Sequence, residues 1–350
     1  MKKSLICAAA LSMIASLAHA QSNVTIYGLI DANLTYNNNA NAAKDGQFKL
    51  NSGGMNTSRL GFRGTEDLGN GLKAVMQLES GILLDTGASD GDMFGRQANV
   101  GLQGEFGKLI AGRSYSTTYD FILPFDPMGY APQYSWATSA GATGSRKDGM
   151  LTGTSNMLKY QFDSTSFKLG ATYGLGEVAG DSSSSAKLAL AAAFMAGPFA
   201  ATLAFDQVNG VATATGAMDK AKTIHAAANY QLDSVKLYAA YRNYKKTLAS
   251  GAADLRSDLF WGGVDFKLSP VWTLTGAYYY QDIKNLAAAA DADPSMFVAR
   301  AKYALSKRTD IYVAGAYAKG RNDKIVGVSR DDAAFGTSQN SFTVGMQHRF

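Results

Sequence analysis

Residues that could carry catalysis are few and scattered in this chain of 350 residues. The histidines beyond the N-terminal segment are His225 and His348, which lie far apart in sequence, and the single cysteine is Cys7. The glycine-rich stretch 69–71 is typical of a hairpin turn and lacks the helix and lysine of a phosphate-binding loop. We therefore expect no enzymatic activity, no cofactor and no metal site.

Two arginines have a spacing that can place positive charge along one side of a strand. Arg59 and Arg63 share one parity, and Leu60 and Phe62 have the other. If the two apolar residues face lipid, the arginines point away from it, because an arginine at the lipid midplane would cost about 2 to 4 kcal/mol. An alternative is that one of them only pairs with a neighbouring strand acid such as Glu66 or Glu79.

The first twenty residues have the pattern of a signal peptide. Lys2 and Lys3 precede an apolar run over 5–17, and Ala18-His19-Ala20 is a small-x-small cleavage motif. The run is too short to cross a bilayer as a helix, which disfavours a membrane anchor. We expect cleavage after Ala20, which leaves 21–350 as one domain.

The composition excludes some classes of function. The sequence has 33 Lys and Arg against 28 Asp and Glu, and loss of Lys2 and Lys3 would lower the net charge from +5 to +3. This balance does not favour nucleic acid as a partner. An exported chain without long apolar runs can span a membrane only as a barrel, since a strand turns every second residue to lipid.

Both ends of the mature chain alternate with a period of two. In 24–35, Val24, Ile26 and Leu34 fall on one face, and 342–350 repeats the pattern. Sixteen strands are predicted, near 24–35, 56–66, 71–81, 94–103, 107–115, 154–162, 166–175, 187–195, 199–208, 221–231, 235–245, 256–267, 271–281, 296–305, 309–319 and 341–350.

The connections between these strands alternate in length. Short turns are predicted near 68–71, 104–107, 163–165, 196–198, 232–234, 268–270 and 306–308. Long loops are predicted at 38–55, 82–93, 116–153, 176–186, 209–220, 246–255, 282–295 and 320–340. This rhythm and the even strand count predict an all-β fold, a 16-stranded antiparallel transmembrane β-barrel with both termini on the short-turn, periplasmic side.

A soluble β-sandwich is the alternative, since exported β proteins also alternate. Aromatic residues near the ends of outward faces, such as Trp272 and Tyr280, suit the girdles at the two lipid interfaces and favour the barrel.

Several segments resemble the general diffusion porins of Gram-negative bacteria, particularly the trimeric porins of beta-proteobacteria. The resemblance is carried by Ser22-Asn23-Val24-Thr25-Ile26-Tyr27-Gly28, by Ser58-Arg59-Leu60-Gly61-Phe62-Arg63-Gly64-Thr65-Glu66-Asp67-Leu68-Gly69-Asn70-Gly71, by Arg96-Gln97-Ala98-Asn99-Val100-Gly101-Leu102 and by His348-Arg349-Phe350. It implies a third long loop folded into the lumen, and a terminal Phe350 that serves as the signal for the barrel-assembly machinery.

The resemblance also implies a pore constriction in which loop acids face wall arginines. Arg59, Arg96 and Arg113 resemble the basic cluster of the family, with Arg63 also expected inside; Asp120, Asp126 and Asp148 are the loop acids. The sequence does not decide which face of its strand Arg96 lies on, because Ala98, Val100 and Leu102 can equally well face lipid. Gly153 stands where many relatives carry an arginine, so the cluster here departs from the family pattern.

The implied function is a water-filled outer-membrane channel for passive diffusion of ions and small hydrophilic solutes, selective for size and charge. We expect a weak to moderate anion preference. A substrate-specific channel for a sugar or an organic anion stays as the alternative. The implied partners are two further copies in a homotrimer, outer-membrane lipid and lipopolysaccharide, and the assembly machinery.

Overall fold

The computed structural model describes residues 23–139 and 148–350. The predicted signal peptide, 1–20, lies outside the described residues. The strands are β1 Asn23–Asn37, β2 Gln47–Ser52, β3 Arg59–Gly69, β4 Leu72–Ile82, β5 Ser89–Asp90, β6 Gln97–Gly104, β7 Gly107–Tyr115, β8 Gly153–Asp163, β9 Phe167–Gly174, β10 Lys187–Ala196, β11 Phe199–Asn209, β12 Lys220–Leu232, β13 Val235–Thr247, β14 Leu255–Lys267, β15 Trp272–Lys284, β16 Ser295–Ala304, β17 Thr309–Lys319 and β18 Ser338–Arg349. A short helix, α1, covers Thr117–Ile122, and 3-10 turns cover Leu123–Phe125 and Ala288–Ala290.

The strands close into one antiparallel barrel. Each wall strand pairs with its sequence neighbours, and β1 pairs with β18 from Leu29↔Arg349 to Asn37↔Ser341. The backbone of Phe350 extends this seam, because its N–H and C=O each bond to Gly28 at 3.1 Å. Within the described residues these strands occupy sixteen places side by side around the barrel wall, the number that the sequence predicts. The predicted fold class is confirmed.

Two of the predicted loops contain additional strand. β2 lies within predicted loop 38–55 and pairs with the extracellular half of β1, while β3 pairs with the other half, so the two share one wall position. The short β5 likewise extends the position of β6 along β4. The signal for β2 was present, since Phe48 and Leu50 alternate with polar residues and face outward.

Alternation places each strand's apolar residues outside and its polar residues inside. On β1, Val24 is 61% exposed and Leu34 53%, whereas Asp31 and Thr35 are fully buried at 0%. This is the reverse of a soluble β protein, because lipid rather than a protein core meets the apolar face.

Short turns join the strands at one rim and long loops at the other, as predicted. The turn after β3 places Asn70 and Gly71 at φ values of 52° and 77°, in the left-handed region that asparagine and glycine tolerate. Both described ends lie at the short-turn rim, which is periplasmic in this kind of barrel.

The third long loop turns into the barrel. The Ser116 side chain caps α1 by accepting a hydrogen bond from the Tyr119 N–H at 3.1 Å. Beyond α1 the loop buries Phe125, Tyr134 and Trp136 against inward-facing residues of β14 to β17, including Tyr279. Within 23–139 and 148–350, no helix is long and apolar enough to cross a membrane.

Candidate functional site

On the inner wall two arginines approach one carboxylate, and a third stacks on the tyrosine that donates to the same carboxylate. Register places Arg59 and Arg63 of β3 inside, opposite Leu29 and Thr25 of β1, while Leu60 and Phe62 face outward. The Arg59 Nε lies 3.9 Å from Glu79 Oε2, and the Arg63 guanidinium stacks over the Tyr27 ring at 4.1 Å.

Arg96 completes this cluster from the start of β6. Its Nε donates to Glu79 Oε1 at 2.8 Å, and Tyr27 donates its hydroxyl to the other carboxylate oxygen at 2.7 Å. Val100 and Leu102 are exposed to lipid, and alternation alone would place Arg96 on that same face; Arg96 lies inside because it precedes β6, which begins at Gln97. We call Arg59, Arg63, Arg96, Glu79 and Tyr27 the arginine cluster.

The structure does not bring Arg113 to the arginine cluster. It pairs with Ala98 on the outward side of β6 and β7, where its side chain bonds to the Gly95 carbonyl and, at 2.7 Å, to Ser155 Oγ. Counting by two from the outward Leu109 gives Arg113 the same face, so the expectation that Arg113 joins the cluster came from the resemblance and not from strand parity.

Of the three loop acids, Asp120 stands nearest to the open lumen. It lies on α1 and pairs with Lys159 of β8, whose ammonium also donates to the Tyr115 carbonyl at 2.9 Å. Beside it, the Tyr119 ring stacks on Tyr115 with centroids 4.3 Å apart, and the Arg96 guanidinium lies 5.6 Å from the Tyr115 centroid. Burial raises the pKa of Tyr119, so this hydroxyl stays neutral.

Asp126 and Asp148 are buried and fasten the loop rather than face the arginine cluster. Asp126 accepts from the Tyr130 N–H and the Ser135 hydroxyl, both at 2.7 Å, and from the Tyr279 hydroxyl of β15. Asp148 accepts from the Ser257 hydroxyl. Its two carboxylate oxygens also accept from Gln281 Nε2, at 2.7 and 2.9 Å. Their carboxylates thus satisfy donors that would otherwise be buried without partners.

The inner wall also carries cations that the sequence analysis did not identify. They include Lys108, Lys159, Lys236, Arg300, Lys302 and Arg349, each on the inward parity of its strand. Their carboxylate partners are Asp120, which pairs with Lys159, Asp265, 4.0 Å from Arg300, and Asp310, 2.6 Å from Arg349 and 3.8 Å from Lys302. Cations exceed carboxylates in this set, and strand parity was the signal that could have found them.

His225 is an inward wall residue sealed beneath the third loop. Its ring is fully buried, and its Nε2 lies 3.9 Å from Asp206. Nearby, the buried Arg242 donates to the Ala137 carbonyl of the loop at 2.8 Å. Across the described ranges, no group of three or more His, Cys, Asp or Glu side chains is placed to hold a metal ion.

A closed sixteen-stranded barrel, apolar outside and charged inside, with a loop folded into its lumen, defines an outer-membrane diffusion channel. The comparisons make this specific: the chain belongs to the Gram-negative porin family, whose model matches residues 7–323. It is an outer-membrane porin for passive diffusion, and its family is one of channels rather than enzymes.

Several relatives and solved structures are similar to the chain. It is 31% identical to an outer membrane porin protein of Bordetella pertussis and 29% identical to outer membrane porin protein 32 of Delftia acidovorans, each over 100% of both chains. The anion-selective porin from Comamonas acidovorans has a TM-score of 0.80 and 27% identity, over 94% of this chain and 100% of that one. A trimer form of OmpT from Vibrio cholerae, 18% identical, has a TM-score of 0.70 over 94% of this chain and 99% of that one.

Proposed function

We propose that this porin is a general diffusion channel with a weak to moderate anion preference, set at a constriction between the arginine cluster and α1. The observation that carries the proposal is that Arg59 and Arg96 share the single carboxylate of Glu79, with Arg63 beside them on the Tyr27 ring. Asp120 supplies a negative charge at this constriction. Arg113 points outward and is not part of the constriction.

The mechanism is electrostatic. Separated positive and negative groups across a narrow lumen produce a transverse field, and the Debye length of about 8 Å in physiological salt is too short to remove that field within a constriction. Small polar solutes pass by aligning their dipoles, while apolar or bulky ones are hindered. The excess of cations on the inner wall raises the local concentration of anions.

Two further observations support the sign of the preference. Asp126 and Asp148 already accept the hydrogen bonds that anchor the third loop. Their carboxylates therefore offer little attraction to a passing cation. A similar porin from Comamonas acidovorans carries the description anion-selective.

Reversal potentials across planar bilayers in a salt gradient test the proposal. The wild-type protein should prefer chloride over potassium. A unit charge acts on an ion about 7 Å away with about 0.6 kcal/mol in water, so removing one in Arg59→Ala should lower the permeability ratio roughly two- to threefold. Arg113→Ala is the matched control and should leave the ratio unchanged. A cation-preferring wild type would refute the proposal, and an unchanged Arg59→Ala would remove Arg59 from it.

The alternative is a channel specific for a sugar or an organic anion. Liposome swelling with a series of neutral sugars and small organic acids separates the two. General diffusion requires rates that fall smoothly with solute size within each charge class. One solute far above its size class would support a specific channel instead.

The assembly and processing belong to the same proposal. We infer a homotrimer, which should close in three equal conductance steps, and cleavage after Ala20, which should give a mature N-terminus at Gln21 by protein sequencing. Phe350 is inferred to be read by the barrel-assembly machinery, so its removal should lower the amount inserted in the outer membrane. No enzymatic activity is part of the proposal.

A further inference from the structure

We propose that a pocket in the extracellular half of the lumen binds a small zwitterionic solute of the α-amino acid type. The pocket has a volume of about 270 Å³ and lies among β2 and the second, third and last long loops. We call it the vestibule pocket. The polar residues that line it include Lys49, Asn51, Asp90, Gln133 and Asp331. The inference deepens the proposed function, which supplies the open lumen through which the solute arrives.

The vestibule pocket faces the inside of the barrel. Lys49 and Asn51 of β2 pair with Thr35 and Asn33 of β1, whose side chains are buried on the inward side. Since β2 covers the extracellular half of β1, the pocket lies on that side of the lumen. Arg59 pairs with β1 nearer its periplasmic end. A solute that enters from outside therefore reaches the pocket before the arginine cluster.

Two amide nitrogens at the pocket have no hydrogen-bond partner among the described residues. Asn51 Nδ2 is buried and unpaired. Gln133 is 8% exposed, and its Oε1 accepts from the Thr35 and Thr343 hydroxyls at 3.1 and 3.4 Å, whereas its Nε2 donates to no described residue. Buried donors in proteins are nearly always paired with protein, water or a ligand. Both amides can thus donate to one carboxylate group of a solute.

Two carboxylates at the pocket can receive the opposite charge. Asp90, at the end of β5, is exposed and forms no ion pair within the described part of the chain. The Asp331 side chain is 67% exposed and lies 3.5 Å from the Arg330 Nε. Lys49, by contrast, is already paired with Asp332 at 2.8 Å. Unpaired amide donors and an unpaired carboxylate in one pocket match a solute that carries both a carboxylate and an ammonium group.

The rest of the lining limits the kind of solute. Ile82, Leu83 and Pro132 are half-buried apolar residues of the pocket, which suit a short aliphatic side chain. A simple anion would be repelled by Asp90 and Asp331. None of the residues that line the pocket is aromatic, so a sugar ring would find no flat surface on which to pack.

The size of the pocket also favours a small solute. Its volume of about 270 Å³ lies just below the range of about 300 to 1,000 Å³ that is typical of sites for drug-sized ligands. An amino acid with a short aliphatic side chain is well below drug size. We therefore choose L-valine as the probe.

Single-channel recordings in potassium chloride test the pocket. L-valine added on the extracellular side should lower the mean current of the wild-type channel in a saturable way, because a bound solute occupies part of the lumen. 3-Methylbutanoate lacks the ammonium group of valine, and 2-methylpropylamine lacks its carboxylate. Each should need a concentration about tenfold higher for the same effect, since one charge-assisted contact is lost.

Two variants on separate elements test the two ends of the solute. Asp90→Asn keeps the size of the side chain, removes the partner of the ammonium group and should raise the half-blocking concentration of valine about tenfold. Asn51→Asp replaces an amide donor with a carboxylate and should raise it at least as much. Asp92→Asn is the matched control, because it removes the same charge from the same loop but does not line the pocket. This control should respond to valine as the wild type does.

The mobility of unboiled samples in gel electrophoresis shows whether each variant is folded, and either folded variant is sufficient for the test. A wild-type current that valine does not lower saturably would overturn the inference. A half-blocking concentration that is the same in the wild type and in a folded pocket variant would also overturn it, as would equal potency of valine and 3-methylbutanoate.

These outcomes are distinct from those that test the proposed function. A wild type that prefers potassium would refute the anion preference and leave the block by valine expected. The absence of block would leave the anion preference standing. The sugars and organic acids of the swelling series carry no ammonium group, so their rates do not depend on this pocket.

Discussion

The Arg96 Nε donates a hydrogen bond of 2.8 Å to the Glu79 carboxylate, which also lies 3.9 Å from the Arg59 Nε. One carboxylate thus offsets part of the charge of the arginine cluster. The net charge at this point of the lumen, and not the number of arginines alone, determines which ions are favoured.

Neutralising this carboxylate should increase the anion preference. Glu79→Gln keeps the size of the side chain but removes a negative charge beside the ion path, so the chloride-to-potassium permeability ratio should rise roughly two- to threefold. Reversal potentials in a salt gradient measure the change. Glu105→Gln, on the exposed turn between β6 and β7, is the control. A ratio that falls or stays constant in Glu79→Gln would show that Glu79 acts only as a structural partner.

The ion pair between Asp120 and Lys159 gives an independent test of the acidic part of the proposed constriction. Asp120→Asn should raise the anion preference, because it leaves the Lys159 ammonium without its carboxylate. Lys159→Met should lower it by a similar factor. The double variant has the wild-type net charge and should return the reversal potential close to the wild-type value. If the double variant instead matched one of the single variants, the other residue would not contribute to selectivity.

The buried carboxylate of Asp126 is predicted to hold the third loop in place. Asp126→Ala removes the acceptor for Tyr130, Ser135 and Tyr279, and each donor left without a partner costs about 1 to 3 kcal/mol. The loop should detach intermittently, which would appear as increased open-channel current noise and faster proteolysis within the loop. Asp85→Ala, in an exposed loop, is the control. Quiet channels in Asp126→Ala would mean that packing of Trp136 and its neighbours is sufficient.

Most of the barrel could be predicted from the sequence because its strands and turns are determined by residues close together in the chain. Alternation, turn residues and loop lengths each depend on neighbours along the chain, so the sixteen wall positions and the inward parity of Arg59 and Arg63 followed without coordinates. The inward position of Arg96 could not be predicted, because Arg96 precedes its strand. Arg113 has the parity of the outward Leu109, so alternation gives its face and the resemblance alone suggested otherwise.

The roles of the loop acids depended on contacts between residues distant in the chain. Asp126 meets Tyr279 across a sequence separation of 153 residues, and no local pattern contains that contact. The sequence could therefore list Asp120, Asp126 and Asp148 but could not distinguish a lumen charge from a buried anchor.

Closure of the barrel depends on the absence of a side chain at Gly28. A Cβ atom there would lie 2.3 Å from the Phe350 ring and 2.6 Å from the Arg59 carbonyl oxygen, well inside van der Waals contact. The ring can turn away, but the carbonyl belongs to the β3 backbone. Gly28→Ala should therefore weaken the pairing of β1 with both β3 and β18 and reduce the fraction of folded protein, which unboiled samples report by their mobility in gel electrophoresis.

Gly315→Ala is the control for this seam variant, because a Cβ at that position of β17 meets only the Ser341 carbonyl oxygen at 3.6 Å. It should fold as the wild type does. Phe350→Ala combined with Gly28→Ala separates the two contacts: removal of the ring relieves one clash and leaves the clash with Arg59 in place. If the double variant folded fully, the aromatic ring rather than the β3 backbone would be what requires glycine at position 28.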